Sequence, residues 1–597
     1  MTTRILLSGN EAIAEGALEA GAHFATAYPG TPSTEILETL ARRGGMRTEW
    51  APNEKVALES ACGASLGGAR VLVAMKHVGV NVAADPLFSA AYAGVNGGLV
   101  LVSADDPAMH SSQNEQDNRH FARAAKIPML EPSDSQEAKD FTVRAFEISE
   151  RFDTPVMLRV TTRICHGMSP VEADRDATWP RAPMRPYERD FRKHVLLPAN
   201  ARRRHRFVEQ RMRELEELAT EDRELNRIFW GDRTVGVITS GVAFQYVREA
   251  LPGASVLKLG MPHPLPRALV REFAAGVDEL YVVEELDPFL EEQVRALGLP
   301  AVGKEIFPAT GELDPDLVAR GLRGEDDAPE PIGAGVVSTP DLPPRPPVLC
   351  AGCGHRGVFY TFSKLELVVT GDIGCYTLGA LPPLEAMDSC LCMGASVGMA
   401  HGMEIALREA GDARRVVGVI GDSTFMHSGI TGLINIVYNG GGSTVVVLDN
   451  GTTAMTGHQG HPGTGVTASG ARGGRVDIAA LCRAIGVRRV REVDPYDLGA
   501  LESALEEELA VDEPSVIICR AVCRLVDRTP IAPSVRLEIE CPGCGTCFEL
   551  GCPALDERDG AAVIDPEACC GCGLCVQVCP FCGLHVEGRT FEAAPVP

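Results

Sequence analysis

The sequence has no basic surplus, no membrane-length apolar run and no tandem structural repeat. Its net charge is −25. That argues against non-specific nucleic-acid binding, which needs a basic face. No stretch of roughly 20 apolar residues occurs, so no membrane-spanning helix is expected. The opening segment, Met1 to Gly21, lacks a basic region followed by a sustained apolar run and a cleavage site. A cytoplasmic location is therefore expected. In that compartment the 20 cysteines do not read as a disulfide framework. With 597 residues the chain is too long for one core. At roughly 100–200 residues per domain, about three to five domains are expected. An apolar share of 45% is enough to fill several cores.

Along the chain the pattern is α/β. In residues 1–180 the runs Arg70–Met75, Gly98–Ser103 and Pro155–Val160 read as buried parallel strands with helical segments between them. Residues 181–232 are charged. Val208, Met212, Leu215 and Ala219 recur at helical spacing with Arg and Glu on the other faces. This predicts a solvated amphipathic connector helix, with a basic docking site for an acidic partner as the alternative. Residues 233–325 form a small α/β unit, with strands at Thr234–Gly241 and Leu280–Glu285. A Pro/Gly-rich linker occupies 326–347. A further α/β domain spans 348–532, and a short Cys- and Gly-rich tail runs from 533 to 597.

Ten of the 20 cysteines lie between Cys541 and Cys582. Cys569-x2-Cys572-x2-Cys575-x3-Cys579-Pro580 is the bacterial-ferredoxin run for a [4Fe-4S] cluster. Cys541-x2-Cys544-x2-Cys547-x4-Cys552-Pro553 nearly repeats it. The two sets resemble an eight-iron dicluster ferredoxin domain whose fourth ligands cross over. One cluster then takes Cys541, Cys544, Cys547 and Cys579. The other takes Cys569, Cys572, Cys575 and Cys552. A zinc ribbon is the alternative, but it uses two CxxC pairs with a longer spacer. Cys570 and Cys582 are left over as non-ligands. Such a tail transfers single electrons.

The partner chemistry is carried by two apolar runs, Arg415–Ile420 and Thr444–Leu448. The first ends in Gly421-Asp422-Ser423 and the second in Asp449-Asn450-Gly451-Thr452. In an open α/β sheet, strand C-terminal ends line the ligand crevice. Asp422 and Asn450 offer hard oxygens suited to Mg²⁺ with a diphosphate, and Thr452 offers another. The arrangement resembles the thiamine-diphosphate signature, with about 28 residues between Asp422 and Asn450. Ser423 stands where Gly is commoner and Asp449 where Asn is commoner. An ordinary Asp and Asn at strand ends is the alternative. Glu54, behind Asn53, has two readings. It is either an acid favoured by the helix N-terminus or the carboxylate partner of a cofactor aminopyrimidine.

With these pieces placed, the chain resembles the thiamine-diphosphate-dependent 2-oxoacid:ferredoxin oxidoreductases, most closely the indolepyruvate-oxidising alpha subunits. The motifs are Tyr28–Ser33, Asn53–Ala57, Met75–Gly79, His110–Asp117, Gly421–Phe425 and Asp449–Gln459. The resemblance implies a multidomain α/β fold. It comprises thiamine-diphosphate-binding domains with parallel sheets and a C-terminal dicluster ferredoxin-like domain. It implies that Glu54 partners the aminopyrimidine, that Thr31 faces the substrate carboxylate, and that Asp422 and Asn450 hold Mg²⁺. It implies oxidative decarboxylation of an aryl 2-oxo acid, with coenzyme A as acyl acceptor and ferredoxin as electron acceptor, in a hetero-oligomer with a smaller beta subunit. Cys350, Cys353 and Cys375 match positions where pyruvate-oxidising relatives hold a third cluster. The fourth ligand would be Cys523 or Cys519. Alternatively Cys350, Cys353 and His355 shape the diphosphate pocket. Cys62, Cys165 and Cys482 read as buried small hydrophobes. Two other readings remain: the same chemistry on pyruvate, a branched 2-oxo acid or 2-oxoglutarate, and a non-catalytic electron-transfer subunit.

Overall fold

The computed structural model describes residues 3–174, 177–323, 346–538 and 540–587, and it divides into two compact units, Met1–Asp341 and Leu342–Pro597. Residues 326–345 of the linker read at 326–347 lie outside the described residues. Among those described, no helix is long and apolar enough to cross a membrane.

The first unit holds two sheets. One is six-stranded and wholly parallel, ordered Arg47–Trp50, Phe24–Ala27, Val71–Lys76, Leu99–Asp105, Val156–Thr161, Met129–Leu130. Every residue of Val71–Lys76, Leu99–Asp105 and Val156–Thr161 is buried. That is why these strands read as near-continuous apolar runs. A separate antiparallel pair, Thr3–Ser8 with Met168–Ala173, flanks this sheet. The second sheet is ordered Ala301–Val302, Glu279–Val283, Asp232–Ser240, Ala254–Leu259, Asn226–Phe229. Its last strand is antiparallel to Ala254–Leu259. Residues 226–229, read from sequence as the end of the connector, thus belong to the sheet. They satisfy an edge that would otherwise be open.

The connector itself is the helix Pro198–Glu221. Val208, Leu215 and Ala219 are buried, as the spacing predicts, whereas Met212 is only half-buried. Arg211 departs from the expected solvated face: it is 1% exposed. Its guanidinium donates to the carbonyls of Asp153 (2.7 Å) and Ala91 (2.9 Å). An arginine is tolerated there because its donors cap carbonyls at helix ends. Arg204 adds bonds to the Tyr92 carbonyl (2.6 Å) and Asp153 (2.9 Å). The helix is therefore seated on the first domain by its arginines as well as its apolar stripe.

Buried ion pairs at Arg119 tie the two sheets of this unit, and those at Arg159 join strand ends within the first sheet. Arg119, with a side chain 1% exposed, pairs with Asp117 at 2.5 Å and with Glu284 at 2.6 Å. It also donates to the carbonyls of Glu285 and Asp287. Arg159 bonds Asp105 at 2.9 Å and also pairs with Glu131.

The second unit holds a six-stranded parallel sheet ordered Ser389–Cys390, Val368–Gly371, Val416–Gly421, Thr444–Asp449, Ser515–Arg520, Arg489–Val493. The tail has only short elements, including Thr546–Leu550 and Leu574–Val578. Its small core, around Leu550, Leu574, Val578 and Val586, is completed by Tyr496 and Leu498 of the α/β domain. Gln577 clamps the two, donating to the Tyr496 carbonyl (2.8 Å) and accepting from Leu498 N (2.9 Å).

Replacing Arg119 by Met leaves Asp117 and Glu284 buried without their cation. Loss of one partner from a buried pair costs about 3–5 kcal/mol. Calorimetry of the full chain is expected to show the first unit melting several degrees lower. An unchanged first transition would mean that Arg119 does not tie the sheets together.

Candidate active site

Each functional residue predicted in the two α/β regions that carry the cofactor motifs lies at or beyond the C-terminal end of a strand, or lines the cavity beside one. In the first unit, Phe24–Ala27 runs into the loop Tyr28–Ser33. There Gly30 N donates to Thr34 Oγ1 (2.9 Å) and Ser33 Oγ donates to the Gly30 carbonyl (2.9 Å). These bonds fold the loop around Thr31, whose carbonyl accepts from Ser111 Oγ at 3.5 Å. Arg47–Trp50 leads to Asn53, which caps the helix Glu54–Leu66 by accepting from Val56 N at 2.9 Å. Glu54 opens that helix and is 5% exposed. The helix N-terminus favours its negative charge. Gly79 passes directly over it, and a Cβ there would fall 2.6 Å from Glu54 Cγ and 2.7 Å from Oε1.

The neighbouring strand ends add groups that sequence reasoning did not single out. Val71–Lys76 ends in Lys76, which is 8% exposed. Beyond Leu99–Asp105, Asp106 organises the loop carrying His110–Asp117. It accepts from Ser111 N (2.9 Å), Ser112 Oγ (2.5 Å) and Thr162 Oγ1 (2.8 Å). The signal was there, in a Lys and two adjacent Asp closing apolar strands.

In the second unit, Val416–Gly421 and Thr444–Asp449 are adjacent and parallel, with Gly421 opposite Leu448. Asp422, 2% exposed, bridges their ends. Its carboxylate accepts from Ser423 N (2.8 Å) and Gly451 N (2.8 Å) and lies 3.1 Å from His461 Nε2. Asn450 Oδ1 accepts from Thr452 N at 3.1 Å, and Thr453 Oγ1 donates to Ser423 Oγ at 2.8 Å. Asp422, Ser423, Asn450 and Thr452 are thus gathered at one sheet edge. Burial, then the charge of Asp422, raises the Asp449 carboxyl above its ordinary value, against the pull of Arg520 2.9 Å away. Gly421 is needed for space: a Cβ would meet Tyr376 Cε1 at 2.7 Å. His355 packs edge-on against Tyr376 (6.0 Å between ring centroids), and burial pushes its imidazole down to about 4. It is neutral at ordinary pH.

Sequence reasoning also missed Asp372, which is fully buried just beyond Val368–Gly371. It accepts from Ile373 N (2.8 Å), Gly394 N (2.9 Å) and Ser396 N (3.0 Å). Gly371-Asp372 repeats the Gly421-Asp422 pattern one strand over.

Thirteen of the 20 cysteines line three cavities. Cys350, Cys353, Cys375 and Cys523 line one cavity, together with His355 and Asn450. Cys519 is not among them; it is 3% exposed in Ser515–Arg520 and faces the core. In the tail, Cys541, Cys544, Cys547 and Cys579 line one apolar pocket. Cys552, Cys569, Cys572 and Cys575 line another, which Cys570 also borders. Ala351 and Gly352, between Cys350 and Cys353, form part of that second wall. Cys165 and Cys482 are buried; Cys62 is half-buried beside the first unit's core.

Three family models match the chain. Pyruvate flavodoxin/ferredoxin oxidoreductase, thiamine diP-bdg, matches residues 15–224. Thiamine pyrophosphate enzyme, C-terminal TPP binding domain, matches residues 372–519. A 4Fe-4S binding domain matches residues 562–581. Among curated proteins, the indolepyruvate oxidoreductase subunit IorA of Archaeoglobus fulgidus is 42% identical, over 97% of this chain and 96% of its own. That of Methanothermobacter thermautotrophicus is 41% identical over 98% of both. The 2-oxoglutarate synthase subunit KorA of the latter organism is 30% identical over 52% of this chain and 95% of its own. A thiamine-diphosphate-binding domain and a 4Fe-4S domain thus lie on one polypeptide, and the chain belongs to the family of indolepyruvate oxidoreductase subunits IorA.

Proposed function

We propose that the chain is the alpha subunit of an enzyme that oxidatively decarboxylates an aryl 2-oxo acid, indolepyruvate foremost, to its acyl-coenzyme A thioester and reduces ferredoxin. One observation carries the redox half of this reading. The cavity lined by Cys350, Cys353, Cys375 and Cys523 has Asn450 as a wall, so sulfur ligands abut the diphosphate loop. A non-oxidative decarboxylase has no use for them. The aryl substrate rests on the names of the relatives.

The donor sets fit the groups. Asp422, Asn450 and Thr452 present oxygens at two adjacent strand ends and would hold Mg²⁺ and, through it, the diphosphate. The crowding of Asp422 and Asp449 is what a cation would relieve. Bound thiamine diphosphate supplies the nucleophilic carbon and the electron sink for decarboxylation. Glu54 would hold a proton toward the aminopyrimidine ring, Gly421 and Ser423 would leave room for phosphate oxygens, and neutral His355 would help keep the pocket dry. Thr31 orients the substrate carboxylate. Each tail pocket offers at least four cysteines in a mostly apolar wall, as a [4Fe-4S] cluster needs. The first cluster takes Cys541, Cys544, Cys547 and Cys579, the second Cys552, Cys569, Cys572 and Cys575. A third takes Cys350, Cys353, Cys375 and Cys523. Ala351 and Gly352, in the loop between Cys350 and Cys353, line the second tail pocket, so a third cluster on that loop would lie close to the second. A smaller beta subunit, ferredoxin and coenzyme A complete the system in the cytoplasm, where thiols stay reduced.

Three outcomes are expected of the full chain co-expressed with its partner and purified without oxygen. Viologen reduction is fastest with indolepyruvate and phenylpyruvate and needs coenzyme A. A preference for pyruvate or 2-oxoglutarate would remove the substrate assignment, and silence with every 2-oxo acid would remove the chemistry. Iron analysis gives about twelve atoms per chain, and Cys523→Ser lowers it to about eight with the tail clusters intact. Eight in both proteins would rule out the third cluster. Gly79→Ala drives a methyl into the Glu54 carboxylate. It should weaken thiamine diphosphate at least tenfold, about 1.4 kcal/mol, in equilibrium dialysis. Unchanged affinity would remove Glu54 from the cofactor site.

A further inference from the structure

Lys76 is a buried cation without an acid. It is 8% exposed and closes an interior strand of the first unit's parallel sheet. Its Nζ donates to the Ser111 carbonyl at 2.5 Å and to Ser111 Oγ at 3.3 Å. Among the described residues, no carboxylate lies within ion-pair distance of Nζ. Asp106, the nearest acid to act on it, spends both oxygens on Ser111 N, Ser112 Oγ and Thr162 Oγ1. Buried lysines are ordinarily paired, because an ammonium loses its hydration on burial. Burial pushes this amine down to about 8, with Asp106 opposing.

The position shows what the ammonium faces. The side chain runs along the Tyr28–Ser33 loop: a Cβ on Gly30 would lie 3.1 Å from Lys76 Cβ and 3.8 Å from Cδ. Ser111, which holds the ammonium, also reaches the Thr31 carbonyl. Three residues on, Gly79 covers Glu54. Lys76 therefore stands between the loop of Thr31 and the loop of Asp106, on the sheet edge that carries Glu54. A lysine needed only to hold a carbonyl has no reason to be charged. A lysine facing a carboxylate does, since a charged hydrogen bond in a dry site is stronger than a neutral one.

We propose that Lys76 is the charged anchor of the substrate carboxylate, with Ser111 holding its ammonium in place. This deepens the proposed function and rests on it. Recognition is then of an anion, and a neutral isostere of the substrate is rejected.

Indole-3-propionate, which keeps the carboxylate and lacks the 2-oxo group, and its amide serve as probes in calorimetric titrations of the purified complex. The intact protein is expected to bind the acid at least tenfold more tightly than the amide. Lys76→Met should bind both alike, and Lys76→Arg should keep the preference. In turnover, Lys76→Met should raise KM for the 2-oxo acid at least tenfold and leave KM for coenzyme A unchanged. Matching iron and thiamine diphosphate contents in the three proteins show that the site is intact. An acid preference that survives in Lys76→Met, or is missing from the intact protein, overturns the proposal. Failure of the functional reading looks different: the intact protein then reduces no viologen with any 2-oxo acid.

Discussion

One carboxylate sets the second unit's site. Asp422 accepts from the backbone at Ser423 and, across the strand gap, at Gly451. The second bond joins the ends of two parallel strands that the sheet ladder alone leaves open. It also requires the left-handed turn at Gly451, φ +70°, which glycine adopts without strain. Asn450 and Thr452 are carried into position by that turn. The bond has a cost, since it brings Asp449 beside Asp422 in a buried setting. Arg520 offsets part of it. The chain beyond Arg520 is then drawn along the same loop: Ala521 N bonds the Asp449 carbonyl and Cys523 N bonds the Asn450 carbonyl, both at 3.0 Å. The cysteine cavity lies beside the Asp449–Thr452 loop because both hang on the same backbone.

The first unit solves a different problem. Its two sheets share one apolar core, which runs from Val73, Leu101 and Met129 to Ile238, Leu257 and Val282, and buried charges are set into that seam. Arg119 joins Asp117 to Glu284, beyond a strand of the second sheet, and Arg159 joins Asp105 and Glu131 at strand ends of the first, so that a shift at either place strands a buried charge. Such pairs add little net stability over an apolar seam, and they fix geometry instead. That geometry matters here. Asp105 pairs with Arg159, and Asp106, the next residue, holds the loop that carries Ser111. The buried Arg159 and the loop that carries Ser111 are therefore held at one strand end.

The tail shows what a short segment does when it cannot fill a core. Its apolar residues are too few to exclude water alone, so Tyr496 and Leu498 of the α/β domain are borrowed. The Tyr496 hydroxyl donates to the Gly352 carbonyl at 2.8 Å, inside the Cys350–Cys353 loop. Gly352 has φ +67°, and a side chain there would strike Cys570 Sγ. The sulfur-bearing loops of the tail and of the α/β domain are thus in direct contact. That contact fixes the distance between their pockets.

What was legible in the sequence was local. Buried parallel strands announce themselves as apolar runs, as at Val71–Lys76 and Thr444–Asp449. Cysteine spacing marks the tail because a cluster takes three ligands from one tight loop. Short edge strands such as Met129–Leu130 have too few residues to show a period. Arg211 reads as a solvent-facing arginine, because what buries it is a set of carbonyls from elsewhere in the chain. Cys523 lies in no motif, since its place is set by a hydrogen bond to Asn450 across a sheet. Glu54 is ambiguous for another reason: an acid behind an Asn cap is what an ordinary helix start looks like. Only Gly79, 25 residues away in sequence, marks it as different. A glycine whose missing Cβ is filled by a carboxylate is a constraint on that carboxylate's position, and a helix start has no need of one.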